Sequence, residues 1–180
     1  RQFPRELRDR IEGINVIYTL DTRLSKMRYG VNFEMEGGDM PIAQLLLKEV
    51  AIFPRAMHPA VWKRDSGEKV MHVAGWMAFG LEHREDAEGD ELLDDVCHQI
   101  NAMGTGTSAY WHEWSPTDML IWDNSRVLHS VEGCDPKYPR RVHRTTIKGD
   151  YGLGHFEHGK KIGEVQREGV APLDLPEEVA

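Results

Sequence analysis

Leu92, Leu93, Val96 and Ile100 recur at helical spacing, so the stretch after Asp90 predicts a helix with one apolar stripe, capped by Asp90 and ending near Gly104. The same spacing of Ile42, Leu45, Leu46 and Val50 predicts an amphipathic helix over 41–50. A short helix over 6–14 leads into a strand at 15–20, and a further strand is predicted at 70–73. Residues 22–38 are polar and read as a connection, broken at Gly37-Gly38-Asp39. Gly104-Thr105-Gly106-Thr107 lacks the Lys-Ser/Thr of a phosphate-cradling loop and reads as a turn.

The period changes near residue 119. Met119 to Trp122 is a short apolar run, Asp123-Asn124 is a turn pair, and alternation resumes from Arg126 to Val131, which predicts a β-hairpin. On its second arm Val127, His129 and Val131 share a face, because strand side chains alternate. After a loop at Gly133-Cys134-Asp135-Pro136, residues 140–147 read as another strand. Arg140, Val142, Arg144 and Thr146 lie on one side, with Arg141, His143, Thr145 and Ile147 on the other.

Two guanidiniums so placed stand roughly 13 Å apart at about 3.3 Å per residue, enough to hold two different anions. Each offers a permanently charged planar fork that matches a carboxylate or sulfonate. Beside a histidine, the pair suggests two acidic ligands converging on one metal; the same spacing fits a solvated strand face equally well.

Trp122-Asp123-Asn124 with His129, followed by Arg140 to Asp150 (Arg-Arg-Val-His-Arg-Thr-Thr-Ile-Lys-Gly-Asp), resembles the C-terminal half of the taurine dioxygenase / 2,4-dichlorophenoxyacetate dioxygenase family. Further matches are His58-Pro59-Ala60-Val61, Ser66-Gly67-Glu68-Lys69, the helix around Leu92-Leu93, and Trp114-Ser115-Pro116-Thr117-Asp118. The resemblance implies an α+β chain with a double-stranded β-helix (jelly-roll, cupin-like) core and flanking helices. It runs from about Arg5 to Asp150 and implies a domain over 1–150, incomplete at the N-terminus, with 151–180 as a C-terminal extension.

The implied activity is that of a non-haem Fe(II)- and 2-oxoglutarate-dependent dioxygenase. It would hydroxylate a small anionic carboxylate, sulfonate or sulfate substrate with O2, releasing succinate and CO2. In this resemblance His129 is the distal histidine of a two-histidine, one-carboxylate triad, which leaves metal positions open for ligands. Arg140 matches the arginine that pairs with the far carboxylate of 2-oxoglutarate. Arg144 matches the arginine that grips the substrate's acid group, and Trp122 and Trp114 match aromatics of the pocket wall. Trp76-Met77-Ala78-Phe79 matches a pocket-lining region, although ordinary core is the first reading of its apolar residues.

One departure stands against these matches: the chain has no His-x-Asp, the form in which the family carries its first two ligands. His83-Arg84-Glu85 and His155-Phe156-Glu157 have a related form but lie at the wrong places relative to His129. The opening segment around Pro4-Arg5-Glu6 resembles mid-domain sequence, so the missing ligands are expected upstream of Arg1. The alternatives are a non-catalytic binding or assembly module on the same fold that has lost its iron site, and a cupin-like hydrolase or isomerase using a different metal.

Composition narrows the classes further. A net charge of -8 argues against nucleic acid, since phosphate binding draws on surplus Lys and Arg. No apolar run approaches the roughly 20 residues that span a bilayer, and the N-terminus does not read as a signal peptide. With only Cys97 and Cys134, no disulfide framework is expected and a reduced, cytoplasmic setting is the default. A homo-oligomer is expected. Local positive charge at Arg140, Arg141 and Arg144 then runs against the global sign. His143 reads as structural, His155 and His158 as tail residues, and His58, His72, His98 and His112 as scattered.

Overall fold

The computed structural model describes residues 3–30, 39, 43, 47, 53–105, 107–135, 137–147 and 154–159. Its first helix, α1 (Arg5–Ile11), sets Leu7 and Ile11 one turn apart and buries Ile11 completely. It ends earlier than the predicted 6–14, because Gly13 adopts φ +86, a left-handed conformation that glycine enters without a Cβ penalty. That reversal feeds directly into β1 (Asn15–Tyr18), shorter than the predicted 15–20.

β1 is a central strand. It pairs antiparallel with β2 (Ala56–Pro59) through Val16↔His58 and Ile17↔Met57, and with β5 (Ala78–Leu81) through Val16↔Leu81 and Ile17↔Gly80. Both Val16 and Ile17 are buried, so both faces of this strand are covered. A two-residue strand, β6 (His155–Phe156), adds to the other side of β2, giving the order β5-β1-β2-β6. Within the 151–180 extension this short strand thus belongs to the sheet, while most of the extension lies outside the described residues.

A separate hairpin joins β3 (Val61–Lys63) to β4 (Lys69–Met71) across a turn where Gly67 takes φ +83. The strand predicted at 70–73 is displaced toward this turn. Val73 lies beyond it yet is fully buried.

A longer helix, α2 (Ala87–Gly104), carries the predicted apolar stripe. Leu92, Leu93, Val96 and Cys97 are buried, and Ile100 packs at the edge of the same cluster with Ile11, Val16, Val73, Ala78 and Leu81. The cap is Asp86 rather than Asp90. Asp86 has extended backbone and its carboxylate accepts the Gly89 N–H at 2.8 Å, satisfying a donor that the first turn leaves free. Asp90 sits inside the first turn, where it meets the Tyr29 hydroxyl at 2.5 Å and Arg28 at 3.0 Å.

Arg55, just before β2, fastens three parts of the chain. Its guanidinium pairs with Glu85 ahead of α2 and with Glu157 after β6, and it lies 5.4 Å from the Phe79 ring centre. Arg28 approaches the same ring at 4.9 Å, so one aromatic side chain is contacted by two cations. The helix expected at 41–50 falls largely outside the described residues. No described helix is long and apolar enough to cross a membrane. Cys97, buried, and Cys134, exposed, are both free thiols.

The hairpin predicted over 119–131 and the strand over 140–147 do not form: these residues carry turns and irregular backbone. A strand needs a neighbour to satisfy its N–H and C=O ladder, and no described segment pairs with this one. The observed architecture is therefore mixed helix and antiparallel sheet, with no closed barrel among the described residues.

Candidate functional site

The Asp123-Asn124 turn forms where the sequence places it. The Asp123 side chain accepts the Ser125 N–H at 2.9 Å, and its carbonyl accepts the N–H groups of Arg126 and Val127 at 3.0 and 3.2 Å. An aspartate that caps its own turn in this way is a common local device. Arg64 Nη1 donates to the other carboxylate oxygen at 3.0 Å, which holds the Asp123 carboxyl below its ordinary range, with the Ser125 N–H contributing next.

The turn brings two of the predicted site residues together. The Trp122 and His129 rings are 5.2 Å apart, centre to centre, tilted by 54°. Trp122 is 36% exposed, and its indole N–H reaches Asn124 Oδ1 at 3.4 Å, a long contact. His129 is exposed. Arg140 and Arg144 are exposed too, and among the described residues no contact joins either to His129. Nor does either find a carboxylate there, in contrast to Arg23, Arg28, Arg55, Arg64 and Arg126, each of which has at least one.

Trp114 belongs to a different cluster, which the sequence did not disclose. His112 Nδ1 lies 3.1 Å from the Tyr110 hydroxyl, and the His112 ring meets Trp114 edge-on at 4.5 Å. His112 Nε2 is buried and 3.2 Å from Asp118 Oδ2, within ion-pair range but off the line a hydrogen bond needs. Asp118 is fixed by accepting the Ser115 N–H at 2.9 Å. The Ser-Pro-Thr-Asp turn was the signal that could have revealed it, since it folds Asp118 back toward His112.

Sheet register assembles a third group from histidines that look scattered in sequence. His58 on β2 meets Tyr18 edge-on at 5.8 Å and faces His72 at 6.5 Å, while His72 meets Trp62 at 5.9 Å. Gly154 passes so close to the His58 ring that a Cβ there would overlap it. His155 Nε2 lies 3.3 Å from Glu82 Oε1, and Glu82 also accepts the Asn15 side-chain amide at 2.7 Å. Burial pushes the Tyr18 hydroxyl up to about 12, although it accepts the Ala74 N–H. His143, expected to be hydrogen-bonded, is exposed and has no such partner among the described residues.

Burial also holds the His58 and His72 imidazoles below their ordinary value of 6.5, His58 being lowered further by His72 and His155. The unfolded chain therefore binds these protons more readily than the folded one. The stability contributed is present above pH 6.5 and is lost as pH falls through the lowered folded values. The urea midpoint is expected to drop between about pH 7 and 5, with a shallower drop in the His58→Gln/His72→Gln variant. An identical pH slope in that variant would show that other groups control it.

No trio of His, Cys, Asp or Glu stands in ligating range among the described residues. Among the described residues His129 is thus a single candidate donor.

A family model described as taurine catabolism dioxygenase TauD, TfdA family matches residues 1–146. The chain is 24% identical over 153 residues to an (S)-phenoxypropionate/alpha-ketoglutarate-dioxygenase of Sphingobium herbicidovorans, covering 81% of this chain and 47% of the relative. It is 26% identical over 153 residues to an alpha-ketoglutarate-dependent 2,4-dichlorophenoxyacetate dioxygenase of Cupriavidus pinatubonensis, covering 82% and 46%. A protein of the same description from a Burkholderia sp. is 31% identical over 99 residues, covering 52% and 32%. The chain thus spans about half the length of the first of these relatives, and less of the last. No solved structure matches.

Proposed function

Because this chain belongs to the taurine catabolism dioxygenase TauD, TfdA family, we propose that it carries the acid-binding part of an Fe(II)- and 2-oxoglutarate-dependent dioxygenase. The substrate is a small anionic organic acid, hydroxylated with O2 as succinate and CO2 are released. The whole domain is a jelly-roll to which the antiparallel sheets contribute. Alpha-ketoglutarate-dependent dioxygenases of this family use Fe(II) and 2-oxoglutarate.

The observation that carries this reading is the state of the arginines. In a chain of net charge -8, Arg140 and Arg144 have no carboxylate partner among the described residues, and both lie inside the stretch matched by the family. An exposed guanidinium offers an external acid a permanently charged planar fork. Arg140 takes the distal carboxylate of 2-oxoglutarate, Arg144 takes the acid group of the substrate, and Trp122 and Trp114 supply apolar wall. His129 is the candidate metal donor. The described residues do not complete an iron site, so the chemistry assigned to them is binding, orientation and exclusion of water.

The test is incubation of the chain with 2-oxoglutarate and added Fe(II), followed by measurement of bound 2-oxoglutarate and released succinate. Succinate release supports the dioxygenase. Binding without succinate favours the non-catalytic module, and no binding at all overturns the acid-site reading.

A further inference from the structure

Four charged side chains connect the β3–β4 turn to the turn that precedes His129. Arg64 Nη1 donates to Asp123 Oδ2 at 3.0 Å, and Arg126 Nη2 donates to Glu68 Oε1 at 3.1 Å. Arg64 Nε also lies 3.8 Å from Glu68 Oε2. The charges therefore alternate in one row: Asp123, Arg64, Glu68, Arg126. Its outer members flank the Asp123 turn, and its inner members flank the hairpin turn at Gly67.

Half-exposed ion pairs of this kind stabilise a fold little, because water screens them and long side chains lose freedom in making them. Their geometric effect is larger. Two contacts on opposite sides of one turn fix its orientation as well as its position. Trp122 is the residue immediately before that turn, and its ring is the one that meets His129.

We infer that Arg64 and Glu68 are positioning residues, which act through Asp123 and Arg126 to hold the Trp122 ring against the His129 imidazole. The functional weight of this inference rests on the reading of His129 and Arg140 as site residues. The β3–β4 hairpin then tunes the site without touching a ligand.

The His129 ring-proton resonance, assigned with His129→Gln, reports the contact through the ring current of the indole. Trp122→Leu gives its position without that ring. Arg64→Gln/Glu68→Gln is expected to move the resonance most of the way to the Trp122→Leu position, and Arg64→Lys to leave it near wild type. About 1 M NaCl, where the screening length is near 3 Å, should move the wild-type signal in the same direction. An unmoved signal in the double variant overturns the inference, as does Arg64→Lys moving the signal as far as the double variant does.

Titration with 2-oxoglutarate separates this inference from the functional reading. A mobile, Lys-rescued His129 signal without 2-oxoglutarate binding leaves the positioning network standing and removes the acid site. Binding with an unmoved signal does the reverse.

Discussion

Under the proposed function, Arg140→Ala is expected to weaken 2-oxoglutarate binding about 10- to 100-fold while leaving substrate affinity within a few-fold, and Arg144→Ala to do the opposite. The magnitude follows from losing charge-assisted hydrogen bonds to a carboxylate, about 1.5–3 kcal/mol, at roughly 1.4 kcal/mol per tenfold. The proposed division of labour rests on the family resemblance and not on charge, since the two residues are chemically identical. Calorimetric titration of each variant with 2-oxoglutarate and with a short aryloxy acid measures the split. Equal losses for both ligands in both variants would mean that the arginines act as a diffuse positive patch.

The largest effect on stability is expected in α2. Leu93 is fully buried within the cluster formed with Ile11, Val16 and Leu81. Truncation to Ala removes buried methyl groups and leaves a cavity that its neighbours fill only in part, a cost of about 3–5 kcal/mol. Against a typical domain stability of about 5–15 kcal/mol, this brings the chain close to unfolding. Urea titration followed by far-ultraviolet circular dichroism measures the loss. Ile147→Ala, at a side chain 93% exposed, is the control and should change stability by less than about 0.5 kcal/mol. A Leu93→Ala midpoint as close to wild type as the control's would show that α2 is not part of the cooperative core.

What the sequence disclosed was local. The stripe of α2 was legible because Leu92, Leu93 and Val96 fall on one helical face whatever surrounds them, and the Asp123 turn because its hydrogen bonds close within four residues. The cap was misplaced by one turn since Asp86 and Asp90 both suit that role, and only the extended backbone at Asp86 decides between them. His58 and His72 looked unrelated because register between strands and the course of the chain after β4 bring them together, and neither leaves a mark in spacing. Alternation over 119–131 was real, yet alternation states which side chains would share a face and says nothing about whether a neighbouring strand exists. The family resemblance, carried by Trp122-Asp123-Asn124, His129, Arg140 and Arg144, proved more informative than periodicity in that segment, and the match over residues 1–146 bears it out.

None of the five tryptophans lies in the buried core: Trp76, Trp111, Trp114 and Trp122 are at least 36% exposed, and Trp62 is half-buried beside His72. Intrinsic emission from this protein should consequently be red-shifted and open to acrylamide in the native state. It would be a poor gauge of whether the interior has melted and, under the proposed function, a sensitive one for the arrival of an acid beside Trp122.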